Sequence, residues 1–575
     1  MTRKAKTYLL VVGSALVTLI GVPAWMILGP PRALVISKET THLTKPLDAE
    51  GNVDYVAAVL ERQRAGVTPE NNGAIPLLQA MWPCGLEPDE LALICDELNI
   101  SPPAADGLVM LDDSDVHQQQ IIDWASKKWG VDLGDEEQYD FDPAEHVYEA
   151  MDTPWRRDQI PPLAQWVDDH QRSFELLHEM ETHDAFYLPS PSRLKLGATL
   201  LSGGTPEASI LRDAARVLTT RSMMYIGENQ PELAWRDLRL IFILARMSWT
   251  ESSTVHSMVA FAIEGLAGSA TQQLLGSGQC DRALLDEMET FFADLPPIAD
   301  IARITDQHDR WMVLEMAAAP NSDDFERMLY LPDDLPQGPL WLLQLPRDRN
   351  TLLKRLNQRY DEMVTILSLP DPAQFMAAKA KFQSDMKQAE LDWHARLPTT
   401  AALFSQSVRG IYAGDLLMAH GLSIQTEAKP PQYRVETTAR LLRIAIALEN
   451  FRLAEGEYPQ QLTELIELSD AALLNDPYAA GQQLRYERRG EGYLLYSRYE
   501  NGIDDGGTSI NSKVLGGEWA KEGEYNHDFR AVDLVFRFPI PPLVLAKPKS
   551  LEDEERELYG DLLLDEYDGL EEPPE

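Results

Sequence analysis

Helix signals that recur between residues 205 and 295 constrain the fold of this chain most. Thr205-Pro206-Glu207 combines an N-cap residue, a first-turn proline and a first-turn acid, which together start a helix. Further helices are predicted from Pro231, over 254–275 and over 281–293. Apolar residues recur at helical spacing through the first of them, at Ile210, Leu211, Ala214, Val217, Leu218 and Met224. Short connections between these helices predict an antiparallel array.

The segment GENQPELAWRDLRLIFILARM, residues 227–247, resembles the joint of a tetratricopeptide hairpin. No second copy follows at a regular spacing, so the body is predicted to be a helical bundle or an irregular α-solenoid. More helix is predicted over 340–368 and 375–420. The fold class is therefore mainly α.

The net charge of the chain limits the kinds of ligand that it is expected to bind. The chain has 575 residues and a formal charge of -41, from 51 Lys and Arg against 92 Asp and Glu. Such a charge repels phosphate backbones, so no nucleic-acid partner is expected, whereas divalent cations are favoured. Three cysteines, Cys84, Cys95 and Cys280, are too few for a disulfide scaffold. Cys84 and Cys95 could pair, or all three could be buried thiols.

Residues 7–29 contain no charged side chain. As a helix they would extend about 35 Å at ~1.5 Å per residue, enough to cross a hydrocarbon core of about 30 Å. The segment predicts an uncleaved transmembrane helix, with a cleaved signal peptide as the alternative. Basic residues within 1–6 place the N-terminus in the cytoplasm. The expected location is the inner membrane, single-pass, with the body facing envelope proteins.

The pattern changes near residue 431, where a small α+β module is predicted. An amphipathic helix ends at Gly456 and Pro459, and a turn, NDPY, follows at 475–478. Strands are predicted over 484–488 and 493–497, joined by a Gly-Glu-Gly turn, and over 532–538. The three strands predict one antiparallel sheet.

The order helix, GEYP, NDPY, LRYERRGEGYLLYS, NGIDDGG and DLVFRF resembles the C-terminal domain of the major pseudopilin of type II secretion, protein G. The resemblance covers about 100 of the 575 residues. The whole arrangement is also similar to a family of bacterial single-span membrane-anchored proteins, from which no activity follows. A true secretion pseudopilin would carry its apolar helix directly before the module, which this chain does not.

The resemblance implies a calcium site in the loop after the hairpin, because that loop binds calcium in the pseudopilin family. Carried over by position, the ligands are Asn501, Asp504 and Asp505, with Asp533 from the following strand. Calcium takes about 6 to 8 hard oxygens, which suits these side chains. A solvated turn is the alternative, since Asn-Gly and Asp-Gly pairs mark turns without any ion.

Other motifs offer weaker chemistry. In HEMETH, His178 and His183 are five positions apart and diverge around a helix, so no zinc site is expected. Ser192 and Lys195 match an SxxK pattern without its partner motifs. Glu264, His256 and His308 are the candidates for a hydrolase site in the helical body, which would require a deep pocket converging on them.

The chain is predicted to act by protein contacts, as a membrane-anchored scaffold or assembly protein rather than an enzyme. An envelope hydrolase and a component related to type II secretion are the alternatives. The predicted regions are a basic N-terminus over 1–6, the transmembrane helix over 7–29, a mostly helical region over 30–200, the helical array over 201–430, the α+β module over 431–546, and a disordered acidic tail over 547–575.

Overall fold

The structure is a computed structural model in which the chain is mainly helical. It describes residues 17–83, 85–110, 114–135, 138–202, 205–247, 253–298, 300–319, 345–396, 399–421, 423–465, 471–479, 481–499, 501–507, 533–540, 543, 545 and 547–551. The predicted helical body and antiparallel sheet are both confirmed.

Helices of the first third have 7 to 15 residues, and several of them are started by side-chain caps. Asp54, Ser114 and Asp142 each accept a hydrogen bond from a backbone N–H in the first turn, which satisfies an otherwise unpaired donor. The helices are α1 (Val22–Leu28), α2 (Tyr55–Gln63), α3 (Ala74–Met81), α4 (Pro88–Leu98), α5 (Asp115–Trp129), α6 (Pro143–Asp152), α7 (Pro161–Asp169) and α8 (Gln171–Glu179).

The predicted antiparallel array is present as four long helices. They are α9 (Pro206–Gly227), α10 (Pro231–Met247), α11 (Thr254–Gly276) and α12 (Arg282–Asp294). Pro206 and Pro231 stand at the first position of their helices, where a missing N–H costs nothing. The sequence therefore located these helices to within about two residues.

The remaining helices build the second half of the body. They are α13 (Ile301–Ile304), α14 (Arg310–Ala318), α15 (Arg349–Leu367), α16 (Pro372–Arg396), α17 (Thr399–Phe404), α18 (Gln406–Gly421), α19 (Ser423–Glu427) and α20 (Lys429–Glu455). A π-helical turn, Thr305–Asp309, joins α13 to α14. Gly456, with φ of 83°, ends α20 in the left-handed conformation that favours glycine.

One three-stranded antiparallel sheet, in the order β1-β2-β3, follows α20. The strands are β1 (Arg485–Arg489), β2 (Gly492–Ser497) and β3 (Leu534–Phe538). Tyr493 of β2 pairs with Phe538 of β3, and their rings stack at 4.4 Å between centroids. Because β2 is central, all six of its residues are buried. The predicted hairpin and third strand are confirmed.

Two hydrophobic cores hold the molecule together. The first joins α3 to α12 with the C-terminal sheet, and the second joins α2 with α13 to α18. Helix α20 contributes to both, through Leu441 and Leu448 in the first and Tyr433 and Val435 in the second. The sheet therefore shares a hydrophobic core with the helical array.

The predicted transmembrane helix over 7–29 and the inner-membrane location that rested on it are wrong. Residues 7–16 lie outside the described residues, and the rest forms a five-residue π-helical turn, Val17–Gly21, and the seven-residue α1. Arg409 also donates to the Ile27 carbonyl, which ties the end of α1 to the body. No helix within the described ranges is long and apolar enough to cross a membrane.

Several other predictions fall on residues that the structure does not describe. Cys84 is one of them, whereas Cys95 and Cys280 are buried thiols. The acidic tail beyond Leu551 and the segment 508–532 before β3 are also outside the described residues. The predicted divisions of the chain remain predictions.

Candidate functional sites

The predicted calcium ligands lie on a loop, 499–507, that the sheet holds in place. Buried Asp476 of the NDPY turn accepts hydrogen bonds from Ser497 Oγ at 2.7 Å and from the Arg498 backbone N–H at 3.0 Å. These bonds fix the end of β2, from which the loop leaves. Antiparallel pairing of β2 with β3 then returns Asp533 beside the loop. The sheet therefore brings all four predicted residues to one end.

Asp504 is held by protein groups. Its Oδ1 accepts from the Tyr496 hydroxyl at 2.8 Å, and its Oδ2 lies 2.8 Å from Arg485 Nε. Burial acts to raise the pKa of Asp504, but the hydrogen bonds from Tyr496 and Gly506 and the charge of Arg485 hold that pKa below its usual range. Asp504 already has a cation, the guanidinium, as its partner.

Asp533 is in a different state. The carboxylate is buried, and its Oδ2 accepts from the Gly507 N–H at 2.7 Å. Its Oδ1 has no hydrogen-bond partner within the described part of the chain. Burial, with the charges of Asp505 and Asp504, raises the pKa of Asp533 to about 6. An unpaired buried oxygen among like charges costs free energy that a bound cation would offset.

Asn501 and Asp505 complete the predicted set. The Asn501 amide donates to Asp505 Oδ2 at 2.8 Å, and its Oδ1 accepts from the Ile503 N–H at 2.8 Å. Nowhere in the described ranges do three His, Cys, Asp or Glu side chains converge as a metal centre does. Only some of the predicted ligands are therefore suited to bind calcium. Asp533 and Asp505 offer suitable oxygens, whereas Arg485 occupies Asp504.

Glu264, predicted as a candidate acid, lies in an open cleft of about 330 Å³ between the helical array and α20. Arg246 binds it through both terminal nitrogens, with Nη2 at 3.0 Å from Oε1. Burial raises the pKa of Glu264 in spite of this ion pair. The pairing with an arginine of a neighbouring helix gives Glu264 a structural partner.

The same cleft has an apolar floor and a wall of mixed charge, in which Glu436 lies with Arg440 and Arg443 of α20. Phe292, Leu295 and Val435 line the floor, and Arg440 and Arg443 lie one turn apart along α20. Arg440 donates to the carbonyls of Ala472 and Asn475, both at 2.8 Å. Among the described residues, Arg443 forms no hydrogen bond or ion pair.

His256 lines a second, smaller cavity of about 40 Å³. It lies where the first turns of α9 and α11 meet the end of α10, near Met247. The buried side chains of Arg193 and Glu207 form part of its wall. Glu207 Oε2 has no hydrogen-bond partner in the described part of the structure. An unsatisfied buried polar atom of this kind costs about 1–3 kcal/mol.

The His256 imidazole contacts one side chain through each of its two nitrogens. Its Nδ1 lies 2.9 Å from Ser253 Oγ, and its Nε2 lies 2.8 Å from Glu207 Oε1. Ser253 is the N-cap residue of α11 and is half-buried. Sequence analysis identified His256 as a candidate but did not identify Ser253 or Glu207. Glu207 belongs to α9 and lies 49 positions from His256 in the chain.

His308, the third predicted candidate, lies behind the cavity wall. Its Nε2 is 3.0 Å from Arg193 Nη2, and burial lowers the pKa of the imidazole. Asp309 beside it binds the hydroxyl and the backbone N–H of Thr254, which fixes the start of α11. A hydrolase was predicted to need a deep pocket converging on these residues, whereas Glu264 lines the open cleft and His256 lines the small cavity.

The remaining motifs are structural. His178 is buried between Asp237 Oδ1 at 2.7 Å and Glu181 Oε1 at 3.1 Å, and Arg221 closes the cluster on Asp237. His183 forms no part of it, because the helix ends at Glu179 and His183 follows the 3₁₀ turn Met180–Thr182. Ser192 Oγ donates to the Ser202 carbonyl at 2.7 Å.

The chain was also compared with known proteins. No protein-family model matches it, and no curated protein or solved structure matches it either. The resemblance to the pseudopilin module therefore stays a prediction.

Proposed function

We propose that this chain acts by protein contacts, as a scaffold or assembly protein that binds a partner segment in the cleft beside α20. The observation that carries the proposal is the shape and chemistry of that cleft. Its volume of about 330 Å³ falls within the range of about 300–1,000 Å³ typical of binding sites.

The lining favours one kind of partner. An apolar floor at Phe292 and Val435 suits a hydrophobic side chain, and Arg443 on the wall suits a carboxylate. A peptide with an apolar residue beside an Asp or Glu carries both groups. Arg443 places positive charge in the cleft wall of a chain whose formal charge is -41, so it could bind the carboxylate of an acidic segment.

The C-terminal module supports the cleft from one side, because α20 lines the cleft and also packs against β2 and β3. We include calcium in the proposal as a stabiliser of this module. When bound, the ion would supply positive charge to Asp533 and Asp505. Its effect on partner binding would be indirect, through the stability of the sheet.

Photo-crosslinking within cells tests the contact function. A photoreactive residue at Ala439, which lines the cleft, should give a discrete crosslinked product with the full-length chain. Arg443→Glu should reduce that product at least tenfold, because the reversed charge repels the carboxylate. The same probe at Leu453, exposed on α20 beyond the cleft, is the matched control and should give no such product. A product unaffected by Arg443→Glu contradicts the proposal.

A further inference from the structure

His256, which lines the small cavity together with Glu207, connects Glu207 to Ser253 in an arrangement suited to nucleophilic catalysis. Glu207 Oε1 is a carboxylate oxygen and can only accept, so the proton of the imidazole resides on Nε2. Nδ1 is then the unprotonated nitrogen, and it accepts the hydroxyl proton of Ser253 at 2.9 Å. Serine, base and carboxylate are connected in the order of a serine-hydrolase triad, with the two imidazole nitrogens exchanged, since Nδ1 faces the serine and Nε2 the carboxylate.

We propose that Ser253, His256 and Glu207 form an acyl-ester hydrolase site, a function beyond the contact role argued above. Ser253 is the nucleophile, His256 is the general base, and Glu207 is a positioning residue that fixes the tautomer of His256.

The reaction balances without any redox partner. Ser253 Oγ attacks the ester carbonyl carbon while His256 Nδ1 takes the hydroxyl proton. The carbon–oxygen bond to the leaving alcohol then breaks, and the alkoxide takes that proton. Water attacks the acyl-serine, gives its proton to Nδ1, and releases the acid as Ser253 regains its hydrogen. Ester and water thus become acid and alcohol.

Two further features of the cavity support the proposal. Arg193 lies in the cavity wall with only 8% of its surface exposed, and it adds positive charge near Glu207. Ser253 stands at the N-terminus of the 23-residue helix α11, whose dipole favours negative charge there.

Labelling of the full-length chain with a fluorophosphonate, together with hydrolysis of p-nitrophenyl acetate, tests this proposal. We expect one labelled serine, Ser253, and loss of label and turnover by at least about 100-fold in Ser253→Ala. Glu207→Gln should lower turnover about 10-fold or more and shift its pH profile, because the orienting charge is lost. Ser192→Ala is the matched control and should keep both label and activity.

Folding of the variants is checked by melting. Ser253→Gly is included because glycine at an N-cap costs only a few tenths of a kcal/mol relative to serine, so it should remain folded and inactive. An unlabelled wild-type chain, a label on another serine, or activity that survives in a folded Ser253 variant would each overturn the assignment. None of these results bears on the cleft at Arg443, so the two proposals fail independently.

Discussion

At the scale of single residues, the fold controls the charge state of Asp533. Its buried Oδ1 has no hydrogen-bond partner within the described ranges, and Asp504 and Asp505 repel its charge. Removing the proton therefore destabilises the folded state, and adding a divalent cation should reverse that effect. Both consequences can be measured.

We expect opposite pH dependences of stability with chelator and with calcium. The folded pKa of Asp533 is about 6, above the unfolded value of about 3.9, so in chelator its stabilisation is complete below the unfolded pKa and is lost as pH rises through about 6. With calcium, stabilisation should grow over the same range, reaching about 2.7 kcal/mol at a hundredfold excess over Kd.

Melting of the full-length chain at several pH values measures both effects. Asp533→Asn should abolish the calcium shift and flatten the pH dependence. Glu491→Gln, a change on the exposed hairpin turn, is the control and should leave both unchanged. A calcium shift that persists in Asp533→Asn would place the ion elsewhere.

At the scale of elements, the packing of α11 on α20 depends on a glycine. A Cβ added to Gly268 would lie 2.7 Å from Thr438 Cγ2 of α20, closer than carbon atoms approach. Gly265, one turn earlier on the same helix, has no atom within 4 Å of its added Cβ. Alanine at Gly265 therefore tests helix propensity alone, whereas alanine at Gly268 also tests the packing of the two helices.

Gly268→Ala should destabilise the chain by about 1–3 kcal/mol, because the helices must separate or Thr438 must shift. Gly265→Ala should instead stabilise it by about 0.5–1 kcal/mol, since alanine loses less backbone entropy in a helix. Thr438→Ala in the Gly268→Ala background should recover much of the loss. Urea unfolding of the four chains measures these differences, and equal effects at the two glycines would contradict the packing described.

At the scale of the whole molecule, α20 joins the two cores and the sheet. Leu441→Ala removes a fully buried side chain of the first core and should cost about 2–5 kcal/mol. Because Tyr433 and Val435 of the same helix belong to the second core, both cores should unfold in one transition. Hydrogen exchange should therefore rise together in α15, which belongs to the second core, and in β2. Exchange that rises in β2 alone would show that the cores are independent.

Local signals were enough to predict the helices and the sheet. Prolines at helix starts, apolar spacing and the Gly-Glu-Gly turn act within a few residues, so α9 to α12 and the hairpin could be located from sequence. The prediction of a transmembrane helix was wrong because it rested only on the lack of charged residues in 7–29. That lack does not show whether the carbonyls of Ile27 and Gly29 bind side chains of the body, as they do.

The sequence by itself determined the periodic elements and gathered the carboxylates of the C-terminal loop, because neighbours in the chain are neighbours in space there. Only the tertiary structure decided which side chains meet across elements. It paired Asp504 with Arg485 and brought Glu207 of α9 to His256 of α11. It also buried Asp533 Oδ1 without a hydrogen-bond partner among the described residues. Such contacts depend on helix packing and strand register, which are set by whole buried faces rather than by any short motif.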